Sequence, residues 1–371
     1  MLDQYCETTG LNRKYVIRLL SPRTALSARV TRPRKKRLST YGNEETYYLK
    51  KIWEILDYPC SVRLAPMLEP MIEKLRNYHE LLVPDSVALK LATIAPSTID
   101  QKLKRFRAEI RRRVNGTTKP GSFLKKQIPI RTSSWEESRA GYTELDTVAH
   151  CGDHAGGDFA NTLNITDLLT GWSEQEAVMG KAEKRIKDAL NLAAQRFPFP
   201  LRGIDPDNGS EFINWQLFRW CMEQKIEFTR GRPYHKNDNA HIEQKNWTHV
   251  RKVFGYARIE SDDLVDMMND LYRNELRLYK NFFQPVMKLV DKKRVGRHGE
   301  KIKRIYDVPQ TPHQRVVRSA EVAMQTKDRF RAIYDGLNPA ALRRSIIMKL
   351  KKFNDTLLRE RQQRIRSKLH S

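Results

Sequence analysis

The sequence predicts a mixed α/β core set between all-helical front units and a basic, mostly helical tail. Three observations predict it. From Gly141 onward, short apolar runs at hairpin spacing replace the helical period of the preceding segment. After the third run, helix and strand patterns alternate, giving the order three strands, helix, strand, helix, strand, helix. The charge divides at nearly the same places. Residues 1–130 hold 26 Lys/Arg against 12 Asp/Glu (+14), residues 131–284 hold 20 against 24 (−4), and residues 285–371 hold 23 against 8 (+15).

A chain of 371 residues is long enough for two or three domains. Its net charge of +25, concentrated in two flanks, suits arms that hold a polyanion, because Lys/Arg contacts to phosphate supply most non-specific nucleic-acid affinity. The four cysteines (Cys6, Cys60, Cys151, Cys221) form no Cys-x-x-Cys pair. Neither a zinc site nor a disulfide framework is indicated, and unpaired thiols suit a reducing cytoplasm. There is no signal-peptide pattern and no apolar run long enough to span a membrane, so the expectation is a soluble, cytoplasmic protein.

In chain order, residues 1–27 read as a helix-turn-helix unit. Gly10 and Asn12 interrupt a helical pattern, and Arg13, Lys14 and Arg18 line a short second helix suited to a DNA groove. A supporting helix is expected before it, so the unit is read as truncated; an ordinary helical hairpin accounts for the local pattern equally well. Residues 28–43 form a basic linker in which Arg34, Lys35, Lys36 and Arg37 are candidate phosphate contacts. Residues 44–110 read as a second helical DNA-binding unit. Its last helix is expected to start with Ser97 as cap and Asp100 in the first turn, and to present Lys102 and Arg105 to DNA. A solvated basic face is the plainer alternative for that helix. Residues 111–135 are a second basic linker.

The core is predicted over 136–284. Its strands are expected at 142–151, 158–166, 171–179, 201–204 and 226–229, and its helices from Lys181, over 213–224, over about 238–254 and over 262–283. The tail, 285–371, ends in a charged helix from about Pro339. Its core looks thin, suiting either a small domain or arms that order on a partner.

Within the core stand three acids. Asp146 lies in the first strand (Leu-Asp-Thr-Val-Ala-His), Asp207 opens Asp-Asn-Gly-Ser-Glu-Phe after the fourth, and Glu243 lies in His-Ile-Glu-Gln-Lys-Asn on the last core helix. The two intervals hold 60 and 35 residues. Three converging carboxylates are what a pair of hard divalent cations requires. Glu144 shares the strand face of Asp146, so only one of the two need be a ligand, and the family resemblance given below picks Asp146 and leaves Glu144 peripheral. Asp205 is set aside, and His150 and His241 are read as packed or surface histidines.

These motifs, in this order and spacing, resemble the catalytic core of DDE transposases and retroviral-type integrases, members of the ribonuclease-H-like superfamily. The front end and basic tail resemble bacterial insertion-sequence transposases. The resemblance covers about a third of the chain and implies a ribonuclease-H-like mixed five-stranded sheet with helices. It also implies Asp146, Asp207 and Glu243 as catalytic and metal-ligating residues, and two Mg²⁺ ions for which Mn²⁺ substitutes. The implied activity is cleavage at transposable-element ends and strand transfer into target DNA by 3′-hydroxyl attack. Partners implied are double-stranded DNA and further copies of the chain on paired ends; no membrane partner is expected. The chain departs from retroviral integrases in having no His-His-Cys-Cys module before the core, so no zinc is expected. Arg230, Arg232 and Lys236 before the last core helix, and Asn246 and Arg251 on it, are candidate DNA contacts. Two other readings stay open: a catalytically silent DNA-binding regulator, and a ribonuclease-H-like nuclease that only hydrolyses.

Overall fold

A computed structural model describes residues 1–20, 40–110, 139–154, 156–206, 212, 214–229, 240–295 and 301–369. The candidate residues Arg34, Lys35, Lys36, Arg37, Asp207, Arg230, Arg232 and Lys236 lie outside the described residues, as do the linker 111–135 and most of the linker 28–43. The chain divides into two compact units, Met1–Gly42 and Asn43–Ser371. Among the described residues, no helix is long and apolar enough to cross a membrane.

The first unit contains α1 (Leu2–Thr9) and α2 (Arg13–Leu20). Gly10 ends α1 at φ 66°, a left-handed conformation glycine adopts without strain. Arg13 pairs with Asp3 at 2.7 Å, Asn12 accepts from the Lys14 N–H, and Lys14 and Arg18 are exposed.

The second unit opens with α3 (Asn43–Ile55), α4 (Ser61–Leu64), α5 (Leu68–Asn77), α6 (Asp85–Ala92) and α7 (Pro96–Ile110). They close on Leu49, Ile52, Trp53, Leu68, Met71 and Leu103. The cap assignment at Ser97 needs correction. Helix α7 starts at Pro96, whose missing N–H costs nothing in a first turn. Asp100 instead accepts from the Ser61 hydroxyl at 2.8 Å and pairs with Arg107. Arg105 is exposed beside Phe106, and Lys102 is half-buried.

The core sheet has β1 (Tyr142–Ala149), β2 (Ala160–Asp167), β3 (Ser173–Met179), β4 (Gly203–Pro206) and β5 (Glu227–Phe228), in the order β3-β2-β1-β4-β5. The β1–β2–β3 meander is antiparallel, because short connections can only turn the chain back. β4 and β5 pair parallel to it after the crossover helices α8 (Glu183–Ala194) and α9 (Trp215–Gln224). Helix α8 buries Ile186, Ala189, Leu190 and Ala193, one stripe at helical spacing. The mixed five-stranded sheet therefore agrees with the expectation, and Asp146 stands on its middle strand.

The last core helix begins as α10 (Ala240–Lys245), passes through a π-helical stretch (Asn246–Arg251) and ends as α11 (Lys252–Phe254). Next come α12 (Asp262–Leu271), a second π-helical stretch (Tyr272–Leu276) and α13 (Arg277–Phe283). This second rod closes the free edge of β3. Asn269 accepts from the N–H of Ala177 (2.7 Å) and donates to its carbonyl (2.9 Å), and Asn281 does the same to Ser173 (3.0 and 2.9 Å). Two side-chain amides thus stand in for a sixth strand and satisfy an edge that would otherwise template pairing. Asn281→Leu strands both buried backbone groups of Ser173. It is expected to cost about 2 kcal/mol, read as a lower urea midpoint at unchanged slope.

The tail, thin in apolar residues by sequence, packs on the core. It contains β6 (Leu289–Val295) and β7 (Lys301–Tyr306), a two-stranded ribbon that the sequence reading missed. Helices α14 (Pro312–Arg318), α15 (Met324–Gly336) and α16 (Pro339–Leu369) follow. Phe330 packs on Trp172 and Phe282, with ring centroids at 5.1 and 5.9 Å, and Phe353 packs on Phe254 at 5.1 Å. Phe330 and Phe353 thus find aromatic partners in the core, which the tail's own sequence does not show. Asp57, at the end of α3, ties the three regions together by pairing with Lys252 (2.6 Å), Lys280 (3.6 Å) and Arg343 (2.9 Å).

Candidate active site

Antiparallel register puts Asp146 opposite Asn164 on β2, and Asn164 opposite Gln175 on β3, so the three share one rung and one sheet face. Asn246, where the π-helical stretch begins, lies over that rung. Its amide donates to Asp146 Oδ2 at 2.6 Å. Its carbonyl oxygen accepts from Asn164 at 2.8 Å, and Asn164 Oδ1 accepts from Gln175 Nε2 at 2.9 Å. The carboxylate only accepts, so it sets the Asn246 amide, which sets Asn164, which sets Gln175. The result is a chain of amide dipoles all donating toward Asp146. Asp146 Oδ1 also accepts from the N–H of Thr147 at 2.7 Å, and its side chain is half-buried. Asn164 and Gln175 are buried, so the relay is shielded from competing water.

Glu144 is not peripheral. It is buried one rung away, and its Oε2 accepts from the N–H of Ile242 at 3.0 Å, in the opening turns of α10. A carboxylate at a helix start satisfies an orphan donor and favours the helix dipole. Glu144 therefore anchors the helix whose next residue is Glu243. Asp205 is likewise a structural acid, buried and accepting from the Thr229 hydroxyl at 2.8 Å.

The far end of the helix is tied to the far end of β1. Arg251 donates to the carbonyl of Ala149 at 2.8 Å and lies 4.7 Å from the Tyr256 ring centre. Asn246 and Arg251, read from sequence as DNA contacts, thus both hold the helix to the strand that bears Asp146. Lys245 and His249 are buried, and Lys245 donates to the Gly171 carbonyl at 3.0 Å. Burial, with Lys280 adding to it, pushes the Lys245 ammonium down to about 7. His150 is also fully buried and bonds the Thr162 hydroxyl at 2.9 Å. Burial, and then the Arg251 charge, push its pKa down to about 3. It stays neutral at physiological pH, as a packed histidine should.

Of the three acids singled out from sequence, only Asp146 has a described side chain. Asp207 lies outside the described residues, and for Glu243 only the backbone within α10 is described. Among the described residues, no group of three or more His, Cys, Asp and Glu side chains could hold a metal. Asp146 offers carboxylate oxygens, the ligand type a hard divalent cation selects, and the Asn246 amide and the Thr147 N–H already occupy one acceptor position on each of them. Glu243 sits three residues before Asn246, one turn along the helix from the side chain that reaches Asp146. The sequence reading missed Asn164 and Gln175. Their one available signal was a polar residue inside a fully buried strand, where an amide must find partners.

No protein-family model matches the chain. It is 36% identical over 297 residues to the uncharacterized protein y4rM of Sinorhizobium fredii (strain NBRC 101917 / NGR234), a match covering 80% of this chain and 83% of that protein. Among solved structures, the HTLV-2 integrase catalytic core domain in complex with magnesium (dimeric form) aligns over 40% of this chain and 91% of its own length, at 14% identity and a TM-score of 0.30. The catalytic core domain of BIV integrase aligns over 47% of this chain and 91% of its own length, at 14% identity and a TM-score of 0.29. Both structural likenesses are partial and of low score. With more than a third of the matched residues identical across most of both chains, the protein belongs to the same family as y4rM.

Proposed function

We propose that this protein is a DDE-type DNA transposase, cleaving at element ends and joining the freed 3′-hydroxyl to target DNA. One observation carries the reading: Asn246, one turn from Glu243, is bonded to Asp146, so the segments bearing two of the three acids meet at one carboxylate. The third segment is consistent with this. The β1–β4 register ends at Leu145↔Pro206, and Asp146 and Asp207 are the next residues in sequence. The mixed five-stranded sheet is the architecture that ribonuclease-H-like chemistry uses, and the basic flanks suit duplex DNA.

Asp146, Asp207 and Glu243 would hold the divalent cations, Mg²⁺ or Mn²⁺. Bound there, such a pair supplies charge stabilisation at the scissile phosphate and lowers the pKa of the attacking water or 3′-hydroxyl. The chain's own contribution is orientation. The amide relay holds Asp146 in one rotamer, and Glu144 holds the start of the helix that carries Glu243. Arg251 fixes the other end of that helix. Site geometry set in this way costs no reorganisation when the reaction occurs.

The test is a Mg²⁺-dependent assay on labelled duplexes taken from the DNA flanking the coding region, searched for inverted repeats, with a second duplex as target. Asp207→Asn is expected to abolish nicking and joining while DNA binding persists. Full strand transfer by that variant would sink the proposal. Binding without turnover by the unaltered chain would support a silent regulator, and hydrolysis without joining a nuclease.

A further inference from the structure

The β6–β7 ribbon carries six basic residues (Lys292, Lys293, Arg294, Lys301, Lys303, Arg304) against one acid, Asp291. Its register sets like charges directly opposite each other, Lys292 against Arg304 and Lys293 against Lys303. Directly opposed like charges destabilise a sheet. None of the ribbon's described side chains is buried, and Asp291, Lys293, Arg294, Val295, Lys303 and Arg304 are exposed. A two-stranded ribbon without a packed face is marginal in water. Asp291 pairs with Lys293 at 3.9 Å, but one acid against six basic residues leaves the ribbon with a net charge of +5.

The base of the ribbon, by contrast, is firmly built. Asp307 accepts from the Lys288 N–H and from Arg315, both at 2.7 Å, and Val286 and Gln310 bridge at 2.8 and 3.2 Å. Lys288 also donates to the carbonyl of Leu168, just after β2, so the ribbon is rooted on the core sheet. A rooted stalk with a cation-rich blade, mostly exposed among its described side chains, is what a polyanion would complete.

We infer that the β6–β7 ribbon is a DNA-engaging element that seats in the major groove of a B-form duplex, with Lys293, Arg294, Lys303 and Arg304 meeting phosphates along its walls. Strands about 4.8 Å apart make a ribbon narrow enough for a groove about 12 Å wide. The deep, narrow major groove of A-form RNA does not admit it. This inference rests on the reading of the chain as a DNA-processing enzyme and adds a second contact surface to it.

The test uses the full chain and a triple variant, Lys293→Ala with Lys303→Ala and Arg304→Ala, measured on a duplex DNA and a duplex RNA of equal length across a salt series. Each lost phosphate contact flattens the slope of log affinity against log salt by about 0.9, so a change of about 2–3 is expected on DNA. Little change is expected on RNA, and the melting temperature should hold or rise as repulsion is relieved. A control keeping the charge, Lys293→Arg with Lys303→Arg, should bind as the unaltered chain does. If the unaltered chain binds DNA and the triple variant shows the same slope and affinity, the ribbon inference is overturned and the enzyme reading stands. Equal losses on DNA and RNA would overturn the groove seating. Failure of the unaltered chain to bind DNA at all would overturn the enzyme reading itself, and the ribbon inference with it.

Discussion

Asp146→Asn is expected to lower Mg²⁺-dependent cleavage by about 10³-fold, several kcal/mol of lost metal-mediated stabilisation at tenfold per 1.36 kcal/mol. The fold should survive. Asp146 is half-buried on β1 and accepts from the Asn246 amide on one oxygen and from the Thr147 N–H on the other. Asparagine keeps an oxygen for one of these donors, and losing the second bond costs only about 1 kcal/mol. The melting temperature of the variant therefore stays close to that of the unaltered chain, which separates lost chemistry from lost structure. Asn246→Ala is a graded companion to this change. It removes the group that orients Asp146 and leaves the carboxylate in place. Outer-shell partners of metal ligands are typically worth about 10–100-fold, so a loss in that range, partly restored by raising Mg²⁺, is the expected outcome. A loss equal to that of Asp146→Asn, unmoved by Mg²⁺, would argue that Asn246 does more than position.

Asp57→Asn should be the most damaging single change to stability outside the site. Asp57 is the shared counter-ion of Lys252, Lys280 and Arg343, and Lys280 is buried. Burial pushes the Asp57 carboxyl upward, but the Lys280, Lys252 and Arg343 charges outweigh it and hold the pKa below the ordinary value. Burial in turn lowers the Lys280 ammonium to about 8. Removing the carboxylate leaves three clustered cations, one of them buried, and is expected to cost about 3 kcal/mol. Asparagine tolerates the left-handed backbone at this position, where φ is 61°, so charge is the variable changed. Because the folded pKa is depressed, the stabilisation is complete above the unfolded carboxylate pKa of about 3.9 and fades as pH falls through the folded value. The gap in unfolding free energy between Asp57→Asn and the unaltered chain should therefore be full at pH 7 and close in strong acid. A gap that stayed constant down to pH 2 would show that packing rather than charge is lost.

Much of the core was legible in sequence because its periods are local. Helix α8 advertises itself by Ile186, Ala189, Leu190 and Ala193, and β1 to β3 by short runs at hairpin spacing. The order of strands and helices followed, with ends shifted by up to three residues. The ribbon was not legible because Lys292, Lys293 and Arg294 interrupt any apolar alternation, so β6 read as part of a basic arm. The tail looked thin because Phe330 and Phe353 pack against Trp172 and Phe254 in the core, not against each other. Glu144 looked like a spare acid because its partner is a backbone N–H 98 residues away.

By itself, the sequence determined which residue types stand in which elements: acids on the first strand and on the last core helix, a mixed sheet between them, and positive charge on both flanks. The tertiary structure alone decided which of those residues meet. The bond from Asn246 to Asp146 spans 100 residues of sequence, that from Asn164 to Asn246 spans 82, and that from Gln175 to Asn164 spans 11. Each depends on strand register and on how one helix crosses the sheet. A hydrophobic period is written within a single turn or strand, whereas such a partnership exists only after the whole sheet has closed.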